Sequence, residues 1–222
     1  MSATVTLADV EEARRRIEPY VRRTPLLRAA PEQSLWFKCE FLQRTGVFKA
    51  RGAFNRLLAS WERGELDAKV GIVVASGGNA GLANAHAAAA LGVPACVFVP
   101  VSAPRVKVER LLAYGAQVRQ VGNEYAEALA AAEAHAEQSG AVFCHAYDQP
   151  EIVAGAGTLG LEILEDEPGI DTVVVAVGGG GLFAGVAAAV EGRAHVVAVE
   201  PVTIPTLREA IAAGRPVDVA VS

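Results

Sequence analysis

Six short runs along the chain, GIVVAS (71–76), ACVFVP (95–100), AQVRQV (116–121), AVFCHA (141–146), TVVVAV (172–177) and HVVAVE (195–200), are apolar and rich in β-branched residues. Runs of this length and composition predict strands buried on both faces. Between them lie Ala/Leu/Glu-rich stretches of helical length: Asn79–Leu91, Arg105–Tyr114, Glu124–Ser139, Glu151–Glu165, Leu182–Val190 and Pro205–Ala213. Strands that alternate with helices predict an α/β protein with parallel sheets and right-handed crossovers. The opening differs. There the spacing predicts an amphipathic helix over Leu7–Tyr20, a loop holding Thr24 and Pro25, and an antiparallel pair near Leu26 and Leu35–Glu40. No internal repeat and no low-complexity linker is visible.

The uncharged stretch from Thr172 to Val190 is long enough to resemble a membrane span. Its four central glycines, each costing about 1 kcal/mol against alanine inside a helix, split it into a strand, a turn and a helix instead. With 52% apolar residues the chain has ample material for a core, and its net charge of −5 gives no electrostatic footprint for nucleic acid or an anionic membrane. Cys39, Cys96 and Cys144 are odd in number, far apart and set in apolar surroundings. They read as buried thiols of a protein kept in a reducing, cytoplasmic setting. The first residues carry acids and arginines where an export signal needs an apolar stretch, so export is not expected.

Two strand-to-helix turns carry candidate chemistry. Ser76 to Gly81 (SGGNAG) and Gly178 to Gly181 each bring backbone N–H groups and a helix N-terminus to one point, a geometry that favours anions. Neither matches the GxxxxGK[ST] pattern or the full GxGxxG spacing of a dinucleotide site. Glycine turns also serve packing alone, but packing needs one or two glycines rather than four. Lys49, in TGVFKARGA (45–53), follows an aromatic residue at a predicted helix start. Most lysines are solvated, so Lys49 gains interest only beside the two turns. Together they fit a carbonyl cofactor held as a Schiff base. The four histidines, His86, His135, His145 and His195, show no metal-ligand spacing and read as helix-surface or strand-end residues, while Tyr125 and Tyr147 are candidates to line the site that read first as packing residues.

TGVFKARGA, SGGNAG and the tetraglycine, in this order, resemble the fold-type II pyridoxal-phosphate enzymes, and within them the serine/threonine dehydratase and serine racemase family. RTPL (23–26), KCEFLQRTG (38–46), FCHAYDQPEIVAGAGT (143–158) and VAVEP (197–201) extend the likeness over nearly the whole chain. The resemblance implies two parallel-sheet, three-layer lobes of the tryptophan-synthase-β-like kind. Residues 46–147 would form the smaller lobe, and residues 1–45 with 148–222 the larger, in which part of the family's lobe is missing. It also implies roles. Lys49 would bind pyridoxal 5′-phosphate and act as the base at the substrate Cα, with Phe48 against the ring and Asn79 on its 3′-oxygen. Gly178, Gly179, Gly180 and Gly181 would hold the phosphate. Ser76, Gly77, Gly78, Asn79 and Ala80 would hold the substrate carboxylate. FKARGA points to β-elimination, which converts L-serine or L-threonine to a 2-oxo acid and ammonia, and the likeness implies a homodimer.

Departures from the pattern narrow the choice. Gly77 stands where racemase-type members have a second serine, the acid/base on the opposite face of the cofactor, and a one-base dehydratase has no need of it. Val47 replaces a common serine and Ala156 a common glutamine. Glu200 matches a cation-site carboxylate, yet Thr206 stands where divalent-binding members carry an aspartate, so a monovalent cation is the expectation there. Family members continue with further strands past the position of Ser222, including the group on the pyridine nitrogen. Three readings therefore stay open at this stage: an ammonia-lyase, a serine racemase, and a shortened, non-catalytic remnant that serves in binding or assembly.

Overall fold

The computed structural model of the chain describes residues 4–217 and residue 219. It begins with α1 (Leu7–Ile17), where Thr6 and Asp9 cap each other: the Asp9 N–H donates to Thr6 Oγ1 at 3.4 Å and the Thr6 N–H to the Asp9 carboxylate at 2.8 Å. This capping box satisfies donors that every helix start leaves open. The helix stops short of the expected Tyr20, because Glu18 already serves as its C-cap. An antiparallel hairpin of β1 (Leu26–Arg28) and β2 (Trp36–Lys38) follows, with Leu27 opposite Phe37. Two 3-10 turns, Glu40–Leu42 and Arg44–Gly46, lead into α2 (Lys49–Glu62).

The alternating pattern then appears in full: β3 (Ile72–Ala75), α3 (Asn79–Leu91), β4 (Ala95–Val99), α4 (Arg105–Ala113), β5 (Gln117–Gln120), α5 (Tyr125–Ser139) and β6 (Val142–Cys144). These strands form one parallel sheet in the order β5-β4-β3-β6. Ile72 and Val74 pack on one face with Phe54, Leu57 and Leu82, while Val73 and Ala75 pack on the other with Phe98, Ala128 and Ala132. Covering a strand on both faces demands an unbroken apolar run, and this is why β3 and β4 read that way.

The long α6 (Pro150–Asp166) then crosses to β7 (Thr172–Ala176), α7 (Gly181–Val190), β8 (His195–Val199) and α8 (Thr206–Ala213). β7 and β8 pair in parallel as a second sheet, with Thr172 beside His195. The segment from Thr172 to Val190 is thus strand, turn and helix, and among the described residues no helix is long and apolar enough to cross a membrane. Helices α6 and α7 meet without side chains between them: a Cβ on Gly185 would lie 2.2 Å from the Val153 carbonyl oxygen.

One expectation fails here. β5, β7 and β8 are not buried on both faces. Val173 and Val175 face the α6 and α7 core, whereas Val174 is 66% exposed and Val199 50% exposed. A β-branched apolar run reports strand propensity, but burial needs a second layer, and the described residues cover only one face of this two-stranded sheet. The three cysteines are free and buried, as their surroundings predict.

Candidate active site

Parallel pairing brings the chemistry to one end of the first sheet. Val74 of β3 is in register with Cys144 of β6, so the Ser76–Gly81 turn and the His145–Gln149 loop leave adjacent strands in the same direction. Crevices outside strand C-terminal ends are where ligands bind in open α/β sheets. At this end Lys49, the first residue of α2, donates its amine to the Ala146 carbonyl at 2.7 Å. Its Nζ lies 5.1 Å from the Phe48 ring centroid and 5.9 Å from that of Tyr147. Burial disfavours the charged ammonium and holds the Lys49 amine below the ordinary lysine range.

The loop that receives Lys49 is firmly tied. His145 Nδ1 accepts the N–H groups of Tyr147 (3.2 Å) and Asp148 (2.8 Å). Gln149 spans the loop, accepting the His145 N–H at 2.9 Å and donating to the Phe143 carbonyl at 3.1 Å. His145 is therefore an acceptor in its own turn, and burial moves its titration downward. From this loop the Tyr147 ring lies on the tetraglycine: a Cβ on Gly179 would stand 2.4 Å from the ring. Tyr147 thus joins Lys49 to the second turn, the less favoured of the two roles its sequence context allows. The signal is its place three residues past β6, but its partner Gly179 is remote in sequence.

The four glycines have different reasons. Gly180 takes φ +82 as N-cap of α7, and a Cβ on Gly181 would meet the Tyr147 carbonyl oxygen at 2.5 Å. Gly178 has no such neighbour; among the described residues nothing beyond its chain neighbours comes within 4 Å of its hypothetical Cβ. Packing among the described residues does not require a glycine here. No side chain caps α7, and its first turn carries no acidic residue, so its N-terminal N–H groups and dipole are available to an anion. A cavity of about 710 Å³ opens beside Gly179, Gly180, Gly181 and Tyr147. A larger one of about 810 Å³ lies between the β1–β2 hairpin and β7 and is lined by Phe48; Lys49 lines neither cavity.

The first turn has the same character. Ser76 Oγ accepts the Gly78 N–H at 3.2 Å, and Gly78 is the N-cap of α3, which has neither a side-chain cap nor an acidic first turn. Gly81 admits no side chain, since its Cβ would lie 1.8 Å from the Ser76 carbonyl oxygen. Gly77 is only crowded by Val99 Cγ1 at 3.3 Å. Asn79, first in α3, is exposed, and Ala80 is buried.

Glu200 caps α8 and reaches the second turn through Thr206, whose hydroxyl donates to the Gly178 carbonyl at 2.8 Å and lies 3.2 Å from the Glu200 carboxylate. Its carboxylate accepts the N–H groups of Leu207 (2.8 Å) and Arg208 (3.0 Å) and the Thr206 hydroxyl (3.2 Å), and these bonds hold it below the ordinary carboxylate range. Among the described residues no group of three or more His, Cys, Asp or Glu could hold a metal ion.

A recessed lysine amine flanked by two aromatic rings, together with two helix N-termini that no side chain caps, is compatible with an anionic carbonyl cofactor. The comparisons agree. The family described as "Pyridoxal-phosphate dependent enzyme" matches residues 17–222, and the chain belongs to it. An L-threonine ammonia-lyase of Geobacter sulfurreducens is 42% identical over 221 residues, covering 96% of this chain and 54% of that protein. The structure of maize serine racemase matches with a TM-score of 0.89 at 34% identity, over 98% of this chain and 68% of that one. The processed form of threonine deaminase isoform 2 from Solanum lycopersicum gives a TM-score of 0.87 at 29% identity, over 96% and 60%. The two-lobed α/β fold implied by the motifs is thus the fold these structures share. The chain spans about half the length of the curated relatives it matches.

Proposed function

We propose that the chain carries the site of a pyridoxal 5′-phosphate-dependent ammonia-lyase acting on L-serine or L-threonine. Bound at Lys49, the cofactor would supply an electron sink for the pair released at the substrate Cα. The chain's residues do the rest. Gly178 to Gly181 would hold the phosphate with backbone N–H groups, Phe48 would pack on the ring, and Asn79 would hold its 3′-oxygen. The Ser76–Ala80 turn holds the substrate carboxylate at the N-terminus of α3. Lys49 takes the Cα proton, a role favoured by an amine whose charged form burial disfavours. Loss of the β-hydroxyl and hydrolysis then yield a 2-oxo acid and ammonia. The two halves of the site would belong to two lobes, residues 46–147 and residues 1–45 with 148–222, that face each other across it.

The observation that carries this reading is the Lys49 amine set beside a loop whose Tyr147 lies on Gly179. The named relatives favour threonine-type elimination, and Gly77, with no side-chain group for the second face, supports lyase over racemase chemistry. Purified protein with pyridoxal 5′-phosphate and L-threonine or L-serine should release ammonia and the matching 2-oxo acid, and Lys49→Ala should not. Product from Lys49→Ala at the wild-type rate would reject Lys49 as the base.

A further inference from the structure

Two residues past Lys49, Arg51 is fully buried (0% exposed). Its guanidinium is held by two carboxylates, each in two-point fashion. Nε and Nη2 donate to Glu40 at 2.9 and 2.8 Å, and Nη1 and Nη2 donate to Glu162 at 2.7 and 2.9 Å. Lys38 balances the second acid, with Nζ 2.6 Å from Glu162. Nothing in the elimination chemistry uses this cluster.

Its placement explains it. Residues two apart on a helix point about 200° apart, so Lys49 can face the site while Arg51 faces the opposite way. The first turn of α2 has no local support: Phe48 is an N-cap without a side-chain hydrogen bond, and no acid lies in the first turn. The approach is strained as well, since Thr45, a β-branched residue, takes φ 63. What fixes this turn is tertiary. Arg51 ties it to Glu40, just before the strained turn, and to Glu162 on α6. Beside it α2 and α6 touch backbone to backbone, since a Cβ on Gly155 would lie 2.6 Å from the Arg51 carbonyl oxygen. Helix α6 begins right after the loop that carries Ala146. Both ends of the Lys49–Ala146 hydrogen bond are therefore anchored through one guanidinium. A buried ionic cluster is poor evidence for stability, because apolar packing serves that end as well or better; a fixed geometry is what its directional bonds supply.

We infer that Arg51 is a positioning residue for the Lys49 amine: its grip on Glu40 and Glu162 fixes the first turn of α2 and so the point from which Lys49 acts. The inference takes its functional meaning from the ammonia-lyase reading, but its test does not need the cofactor. In the full chain without added cofactor, the pH dependence of dinitrophenylation of Lys49, followed by peptide mass spectrometry, reports how the amine is held. Lysine cannot reproduce the guanidinium fork. In Arg51→Lys the midpoint for Lys49 should rise toward the ordinary lysine value by about one pH unit, a tenfold loss of free amine. Glu40→Gln should shift it the same way by less, and Glu165→Gln, which breaks only surface pairs, should leave it in place. A folded Arg51→Lys protein with the wild-type midpoint overturns the inference, as does an equal shift in Glu165→Gln. Should Arg51→Lys fail to fold, Glu40→Gln decides: an upward shift supports the inference and an unmoved midpoint overturns it. If wild-type protein instead takes up no cofactor, the functional reading fails while these midpoints still compare.

Discussion

The Lys49 amine donates to the Ala146 carbonyl across 2.7 Å, joining the first residue of α2 to the loop that follows β6. The two residues lie 97 positions apart, and the bond holds the amine where Phe48 and Tyr147 flank it. A lysine so placed is desolvated without a carboxylate to compensate, since burial is the cause of its lowered titration.

A stability effect with a defined sign follows. The folded state binds the Lys49 proton less tightly than the unfolded chain does, so keeping the amine charged opposes folding. That opposition is fullest below the folded-state midpoint and fades as pH rises toward the ordinary lysine value. Lys49→Met should therefore melt a few degrees above wild type at neutral pH, with the gain shrinking as the solution becomes alkaline. Thermal melts of both proteins across that range check it; a gain that grows with pH would contradict the burial account.

Two neighbouring glycines should separate packing from ligand binding. Gly179→Ala drives a methyl into the Tyr147 ring at 2.4 Å, an overpacking that should cost about 1–3 kcal/mol. Gly178→Ala meets nothing within 4 Å, and so should fold like wild type yet bind pyridoxal 5′-phosphate at least tenfold more weakly. Melting curves and cofactor titrations of the pair test this, and tight cofactor binding by Gly178→Ala would remove Gly178 from the cradle.

Gly77 makes a stereochemical prediction. With no side chain at this position, wild-type protein given L-serine should form pyruvate and no D-serine. Gly77→Ser has to displace Val99 Cγ1, 3.3 Å from the new Cβ, by only a few tenths of an ångström, and it should remain folded. Chiral chromatography of the wild-type reaction is the check, and accumulating D-serine would show that the second face has another acid.

Acid should loosen α8 before the rest. Glu200 accepts from Leu207, Arg208 and Thr206, and its carboxyl titrates below the ordinary range. A carboxylate with a lowered folded value contributes stability above its ordinary midpoint and loses it as pH falls through the folded one. Hydrogen-exchange protection of the Leu207 and Arg208 amides should fall in acid while that of α3 persists. Equal loss in both helices would mean that Glu200 is not the cap that matters.

Much of the fold could be read in the chain because local chemistry decides it. Helix α3 spans Asn79–Leu91 as its alanine run and flanking glycines predict, and β3 and β4 follow from β-branched runs buried by both neighbouring layers. The one-sided burial of β7 and β8 could not be read, because exposure is set by what packs on each face, and among the described residues only one face is covered. Lys49 and the tetraglycine stood out through their spacing. Arg51 did not: charged residues are usually solvated, and its partners lie 11 and 111 positions away. The sequence offers Tyr147 only as one of two tyrosines that could line the site, since only the folded chain places it on Gly179.

The central claim is that Lys49 holds the cofactor. Protein mixed with pyridoxal 5′-phosphate should develop visible absorbance, and borohydride reduction followed by proteolysis and mass spectrometry should place the phosphopyridoxyl group on the peptide containing Lys49. Visible absorbance with the label on another lysine, or no absorbance and no trapped label, would contradict it.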